Sequence, residues 1–135
     1  MPLSKKFLKS FAIFASNTLI TGYDSDESGM GENKSRFKRD SCRILKELAT
    51  LMGLPKGSYD VRFNQGGPAV SGDPILHGEN IYVNMAQSSM GRFYYRSCKG
   101  RKDYSGGQNR WMNWSELENI ETVAAKLKIA ADSGR

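Results

Sequence analysis

Apolar positions along this chain recur at three-and-four spacing in three stretches, with a two-residue alternation between the second and the third. Phe7, Phe11 and Phe14, spaced four and three, define one face of a short helix docked on the core. Phe37, Ser41, Ile44, Leu45, Leu48, Leu51 and Met52 repeat that spacing, while Lys38, Arg39, Arg43, Lys46 and Glu47 take the other side. This predicts an amphipathic helix over residues 36–52, capped by Ser35 and ended by Gly53 and Pro55. Leu117, Ile120, Ala124, Leu127 and Ala131 make the third stripe and predict a helix over 115–130. Ser115 with Glu118 forms a capping box there; a start at Asn113, with Met112 stapled against Leu117, is the alternative.

From Tyr59 the period becomes two, with Tyr59, Val61, Phe63 and Gln65 alternating with Asp60, Arg62 and Asn64 as in a half-buried antiparallel strand. Gln65–Pro68 reads as a turn, residues 69–71 as a short strand, Gly72-Asp73-Pro74 as a turn and Ile75 to His77 as another strand. Gly78-Glu79-Asn80 turns into a strand in which Ile81, Val83 and Met85 alternate with Tyr82 and Asn84. The stretch Ser88 to Gly91 then closes a hairpin onto residues 92–99, and 100–113 reads as a basic loop. The fold expected is α+β: an antiparallel meander of about four or five strands packed with two main helices, plus a short N-terminal helix. Residues 1–20 form a peripheral N-terminal helix, 21–34 a flexible acidic loop, 35–131 a single core domain and 132–135 a tail.

A chain of 135 residues buries enough surface to fold without disulfides or metals, so Cys42 and Cys98 read as free thiols. Lys9 interrupts the apolar run that follows Lys5 and Lys6, and no good cleavage site follows, which argues against a signal peptide. No stretch approaches the ~20 apolar residues of a membrane span. Cytoplasmic location and no membrane partner are the expectations. The net charge is +6, with a pI near 9.4, and its placement matters more than its size. Residues 92–110 hold six Lys and Arg against Asp103 alone, a patch suited to a polyanion.

Motifs for catalysis and cofactors fail in detail. Gly29 to Ser35 opens a helix, but Asn33 and Ser28 occupy the positions where a P-loop needs glycine, and no strand precedes it. The dinucleotide fingerprint lacks its third glycine and its βαβ setting. His77-Gly78-Glu79 matches the H-x-E of zinc deaminases without the P-C-x-x-C that completes the metal site. One histidine and two distant cysteines do not assemble a structural zinc site. Cys98 lies between Arg96 and Lys99, which suits a reactive thiolate, and a Cys98–His77 pair is the one nucleophilic arrangement the chain offers. No catalytic residue, metal or cofactor is assigned.

The segment from Arg92 to Trp114 interleaves cations with Phe93, Tyr94, Tyr95, Tyr104, Trp111 and Trp114, a combination that holds single-stranded nucleic acid by pairing phosphates and stacking bases. Gly91 to Tyr95 has a local likeness to the aromatic strand of the RNA-recognition motif, without that fold's βαββαβ order, and so names no family. With Phe93 and Tyr95 facing the core, Arg92, Tyr94 and Arg96 form the exposed stripe, and Cys98 shares their face. The expected function is a small non-catalytic nucleic-acid-binding accessory protein. Its site comprises Arg92, Tyr94, Arg96, Lys99, Arg101, Lys102 and Arg110 on phosphates, with Tyr104 or Trp111 stacking. The competing expectation is a protein-binding module or inhibitor of phage or mobile-element type, docking its basic loop on an acidic protein surface. A third is an enzyme using His77, Glu79 or Cys98. The bland alternative makes the aromatics core and the cations a solvated sheet face, with Trp111 and Trp114 packing the last helix.

Overall fold

The computed structural model describes residues 2–23, 31–89 and 91–133, with the side chains of Ser88, Ser89 and Tyr104 outside the description. The chain forms α1 (Lys5–Asn17), α2 (Glu32–Leu51), β1 (Tyr59–Asn64), β2 (Asp73–Gly78), β3 (Ile81–Ser89), β4 (Arg92–Gly100), β5 (Asp103–Gly106) and β6 (Arg110–Asn113). A 3-10 turn (Trp114–Asn119) then leads into α3 (Ile120–Ser133). The strands make one antiparallel sheet in the order β1-β2-β3-β4-β5, and β6 also pairs with β4. The α+β meander is therefore the fold, and helices cover one face of it. Most of the predicted acidic loop, residues 24–30, lies outside the described residues, as do 134 and 135 of the tail.

Helix α1 is not peripheral. Phe11 and Ala15 are fully buried, and the Phe11 ring stacks on Phe37 at 5.8 Å and meets Trp114 edge-on at 5.9 Å. Gln87 of β3 fastens the end of this helix: its Nε2 donates to the Ala15 and Thr18 carbonyls (2.7 and 2.6 Å), and its Oε1 accepts from the Ile20 amide (2.9 Å). One side chain thereby satisfies three backbone groups that a helix end would otherwise leave open.

Helix α2 begins a turn before Ser35. Gly31, at φ 41°, precedes the first turn and no side chain caps it, while Ser35 lies exposed inside the helix. Its C-terminus closes as the sequence implies: Gly53 adopts φ 75°, its amide donates to Thr50 O (3.0 Å) and the Leu54 amide to Ala49 O (3.0 Å). Those two bonds satisfy carbonyls of the last turn, and the left-handed position suits glycine.

The strand expected at 69–71 does not form, and the turn placed at 72–74 does not interrupt the sheet; residues 73–78 are one strand, β2. Pro74 fits because it pairs only with Phe63 of β1, and the ladder to β3 starts one residue later at Ile75. The basic loop is also structured, as β5 and β6. At the last helix the start is Asn113, whose amide donates to the Glu116 carboxylate (2.9 Å) in a reciprocal capping box. The Ser115–Glu118 box is replaced by this one, because the tight 3-10 turn brings Glu116 back over Asn113.

The strand alternation sorts residues as the pattern implies. Leu76, Val83, Met85, Phe93, Tyr95 and Met112 join Phe37, Ile44, Leu48, Trp114 and Leu127 in the main core. The other face carries a smaller cluster of Ile75, Tyr82 and Cys98, with Tyr94 against it. The sheet coils around that second face, so that Arg101, after β4, reaches back to β1.

Candidate nucleic-acid interface

The second face of the sheet is built by register. His77 pairs with Tyr82 across β2 and β3, Asn84 with Tyr94 across β3 and β4, and Tyr94 with Trp111 across β4 and β6. Their rings form a continuous row. His77 meets Tyr82 edge-on at 5.1 Å, Tyr82 lies 6.3 Å from Tyr94, and Tyr94 lies 5.5 Å from Trp111. The Arg92 guanidinium sits 4.8 Å from the Trp111 ring centroid and ends the row. Each contact of this kind contributes on the order of 1 kcal/mol.

Exposure divides the row in two. His77 and Tyr82 are buried, Tyr94 is half-buried, and Trp111 is 41% exposed beside the exposed Arg92. Burial, with the neighbouring Tyr82 hydroxyl, pushes the Tyr94 phenol up, so it stays a neutral hydrogen-bond donor. The accessible end of the row is a platform of indole, phenol and guanidinium, its two rings inclined by 56°.

Cations lie beside that end and along β4 away from it. Arg96 donates from Nε and Nη2 to Asn109 Oδ1 (2.8 and 2.6 Å), which fixes its guanidinium beside the strand that carries Trp111. Arg110, paired with the core-facing Tyr95 and so on the opposite side of β6 from Trp111, is exposed, as are Lys99 and Lys102 at the far end of β4. Arg101 is different. Its Nη2 donates to Asp60 Oδ1 (2.8 Å), its Nη1 to the Gly57 carbonyl (2.6 Å), and Glu79 lies 4.0 Å from Nε. Its charge is compensated within the fold, so it clasps β1 rather than joining the open cations. Tyr104 belongs to β5, but its side chain lies outside the described residues.

Tyr82 and Asn84 also stand on this face, as their alternation with Ile81, Val83 and Met85 implies, although neither belongs to the site expected from the sequence. Trp111 and Trp114 separate, the former at the surface and the latter fully buried. Only β6, which looked like loop, could have shown that.

The two groups weighed for nucleophilic chemistry meet, but at a backbone atom. His77 is 2% exposed; its Nε2 lies 2.7 Å from the Gly100 carbonyl and its Nδ1 lies 3.4 Å from Arg62 Nη2. These contacts assign the proton to Nε2, leaving Nδ1 as acceptor. The Cys98 thiol points at the Gly78 and Gly100 carbonyls (3.5 and 3.7 Å), and burial pushes it up, away from the thiolate. Histidine and cysteine share a carbonyl instead of exchanging a proton. Among the described residues no group of three His, Cys, Asp or Glu side chains is placed to hold a metal ion. Among them, too, no helix is long and apolar enough to cross a membrane.

The fold and this face define a two-layer α+β protein with an aromatic-cationic sheet surface. Comparison with known protein families, curated proteins and solved structures finds no match, so the geometry of the face carries the functional argument.

Proposed function

We propose that this protein is a single-stranded nucleic-acid-binding accessory protein whose site is the Arg92–Trp111–Tyr94 platform. The observation that carries the reading is the exposed Trp111 ring held between a guanidinium and a phenol on the sheet face left open by the helices. Bases stack on such faces without regard to identity. Arg96, Arg110, Lys99 and Lys102 supply phosphate contacts, and Asp103 is the single carboxylate of the segment. Asp103 is itself engaged by the Ser105 amide and hydroxyl. Arg101, already compensated by Asp60, is left out of the site.

The test is fluorescence anisotropy of labelled single-stranded DNA and RNA at about 50 and 200 mM salt, a range over which phosphate contacts weaken affinity steeply. Tight, salt-sensitive binding that falls when Arg92, Arg96 and Arg110 are changed together to Ala supports the reading. Absence of binding at the lower salt overturns it and turns attention to an acidic protein partner.

A further inference from the structure

The basic segment 92–110 is not the only concentration of charge. Helices α1 and α2 together carry nine Lys and Arg against three carboxylates, and α1 has none of the carboxylates. Two of the three are occupied within the fold. Asp40 is buried and pairs with Arg39 (3.0 Å) and Arg36 (3.6 Å), and Glu47 accepts from the Leu3 amide (3.2 Å).

The exposed cations of α2 lie in one stripe. Lys38, Arg39, Arg43 and Lys46 flank Ser35 and the half-buried Cys42 along an open groove of about 460 Å³. The Arg43 guanidinium stacks 4.7 Å from the Phe7 ring, and a guanidinium so held keeps its in-plane N–H donors for an anion. From Lys38 to Lys46 the helix rises about 12 Å. Over that length one strand of duplex DNA presents about three or four phosphates. No aromatic or large aliphatic side chain lines the groove itself, and the neighbouring Phe7 and Phe63 rings have Arg43 and Lys38 over them. The stripe therefore lacks the apolar centre of a protein interface and the rings needed to stack bases.

Helix α2 turns its apolar side to the core, which occupies the other side of the sheet from Trp111, so the stripe and the platform face opposite directions. We propose that the outer face of α2 is a second nucleic-acid surface, gripping phosphates without reading bases, and that one molecule thereby holds two nucleic-acid segments at once. The bridging part rests on the platform being a nucleic-acid site; the α2 surface stands on its own charges.

The test is a capture assay: single-stranded oligonucleotide on beads, purified protein, then a fluorescent duplex. The intact protein should retain the duplex on the beads. Changing Lys38, Arg39, Arg43 and Lys46 together to Gln should lower duplex capture at least 10-fold and the log–log salt slope for duplex by about 3–4. Single-strand affinity should then change by less than about 2-fold. Capture by this variant equal to that of the intact protein overturns the inference. Absence of duplex from beads that hold the unaltered protein overturns it too, without requiring any variant to fold. Preferential binding of vesicles rich in anionic lipid over duplex would assign the stripe to a membrane surface and overturn it as well. Should the α2 variant lose all binding and a Trp111→Ala variant none, the platform reading fails and bridging with it.

Discussion

Trp111 and Tyr94 face each other across β4 and β6 with ring centroids 5.5 Å apart and planes inclined by 56°, because their Cα positions are paired in register. The pairing turns a loop tryptophan into part of a sheet surface. It also separates the two tryptophans by exposure, since Trp114, three residues on, is fully buried against Phe11, Phe37 and Phe93.

That separation predicts opposite outcomes for two substitutions. Trp111→Ala should leave thermal stability nearly unchanged and weaken single-strand binding about 10- to 100-fold, the loss of one stacked base. Trp114→Ala should cost about 3–5 kcal/mol, a large fraction of a small domain's stability. Titration of nucleic acid should quench tryptophan emission in the Trp114-only variant Trp111→Phe far less than in the unaltered protein. Equal quenching would place the ligand elsewhere.

Gly107 controls the step from β5 to β6. A Cβ there would stand 2.4 Å from the Ser97 carbonyl oxygen and 3.0 Å from the Ser97 amide nitrogen, both backbone atoms of β4. Gly107→Ala should therefore destabilise the protein by about 1–3 kcal/mol and shift β6 away from Tyr94. Gly91→Ala, where a Cβ meets nothing within 4 Å, should stay within about 0.5 kcal/mol. Denaturant melts of the two variants check this.

Arg101 and Arg110 should behave differently although both are arginines of one basic segment. Arg101→Ala breaks the contact with Asp60 and should lower stability by up to about 1 kcal/mol, a partly exposed pair, with little effect on nucleic-acid affinity. Arg110→Ala should do the reverse and reduce the salt slope of binding by about 1. Paired melting and anisotropy measurements separate the roles.

The capping box gives a pH dependence. Burial works against the charged form of Glu116, but hydrogen bonds from Lys126 and the Asn113 amide outweigh it and hold the carboxyl below its ordinary 4.5. A depressed carboxyl contributes stability above its unfolded pKa and loses it as pH falls through the folded value. Glu116→Gln should cost about 1 kcal/mol at pH 7 and flatten the acid limb of the stability curve below about pH 4.5. An acid limb unchanged by the substitution would deny Glu116 this role.

Thiol chemistry tests the second face. Both cysteines have thiols pushed up by burial, and Cys98 is only 7% exposed. Mass spectrometry should find Cys98 alkylated far more slowly than Cys42 at pH 7.5, with His77→Ala failing to slow it further. Rapid alkylation of Cys98 that depends on His77 would revive the nucleophile reading.

Much of this architecture is local and was readable as such. The three-and-four spacing of Phe7, Phe11 and Phe14, and of Phe37, Ile44, Leu45 and Leu48, marks helix faces, because side chains one turn apart share a side. The two-residue period of β4 assigned Phe93 and Tyr95 to the core and Arg92, Tyr94 and Arg96 to the other face, and the structure places them so. Short β5 and β6, and the continuity of β2 through Pro74, were hidden because such brief segments carry too little pattern and are stabilised by their partners rather than by their own residues.

The sequence by itself determined the helices, the main strands, the inward and outward faces of β4 and the concentration of positive charge between Arg92 and Arg110. Only the tertiary structure decided that β6 pairs with β4, that Arg101 is neutralised by Asp60 at a separation of 41 residues, and that His77 and Cys98 both spend their polarity on the backbone near Gly100. The reason is physical. Period and charge are properties of neighbours along the chain, whereas strand pairing and ion pairing are selected by whichever distant segments bury the most surface together.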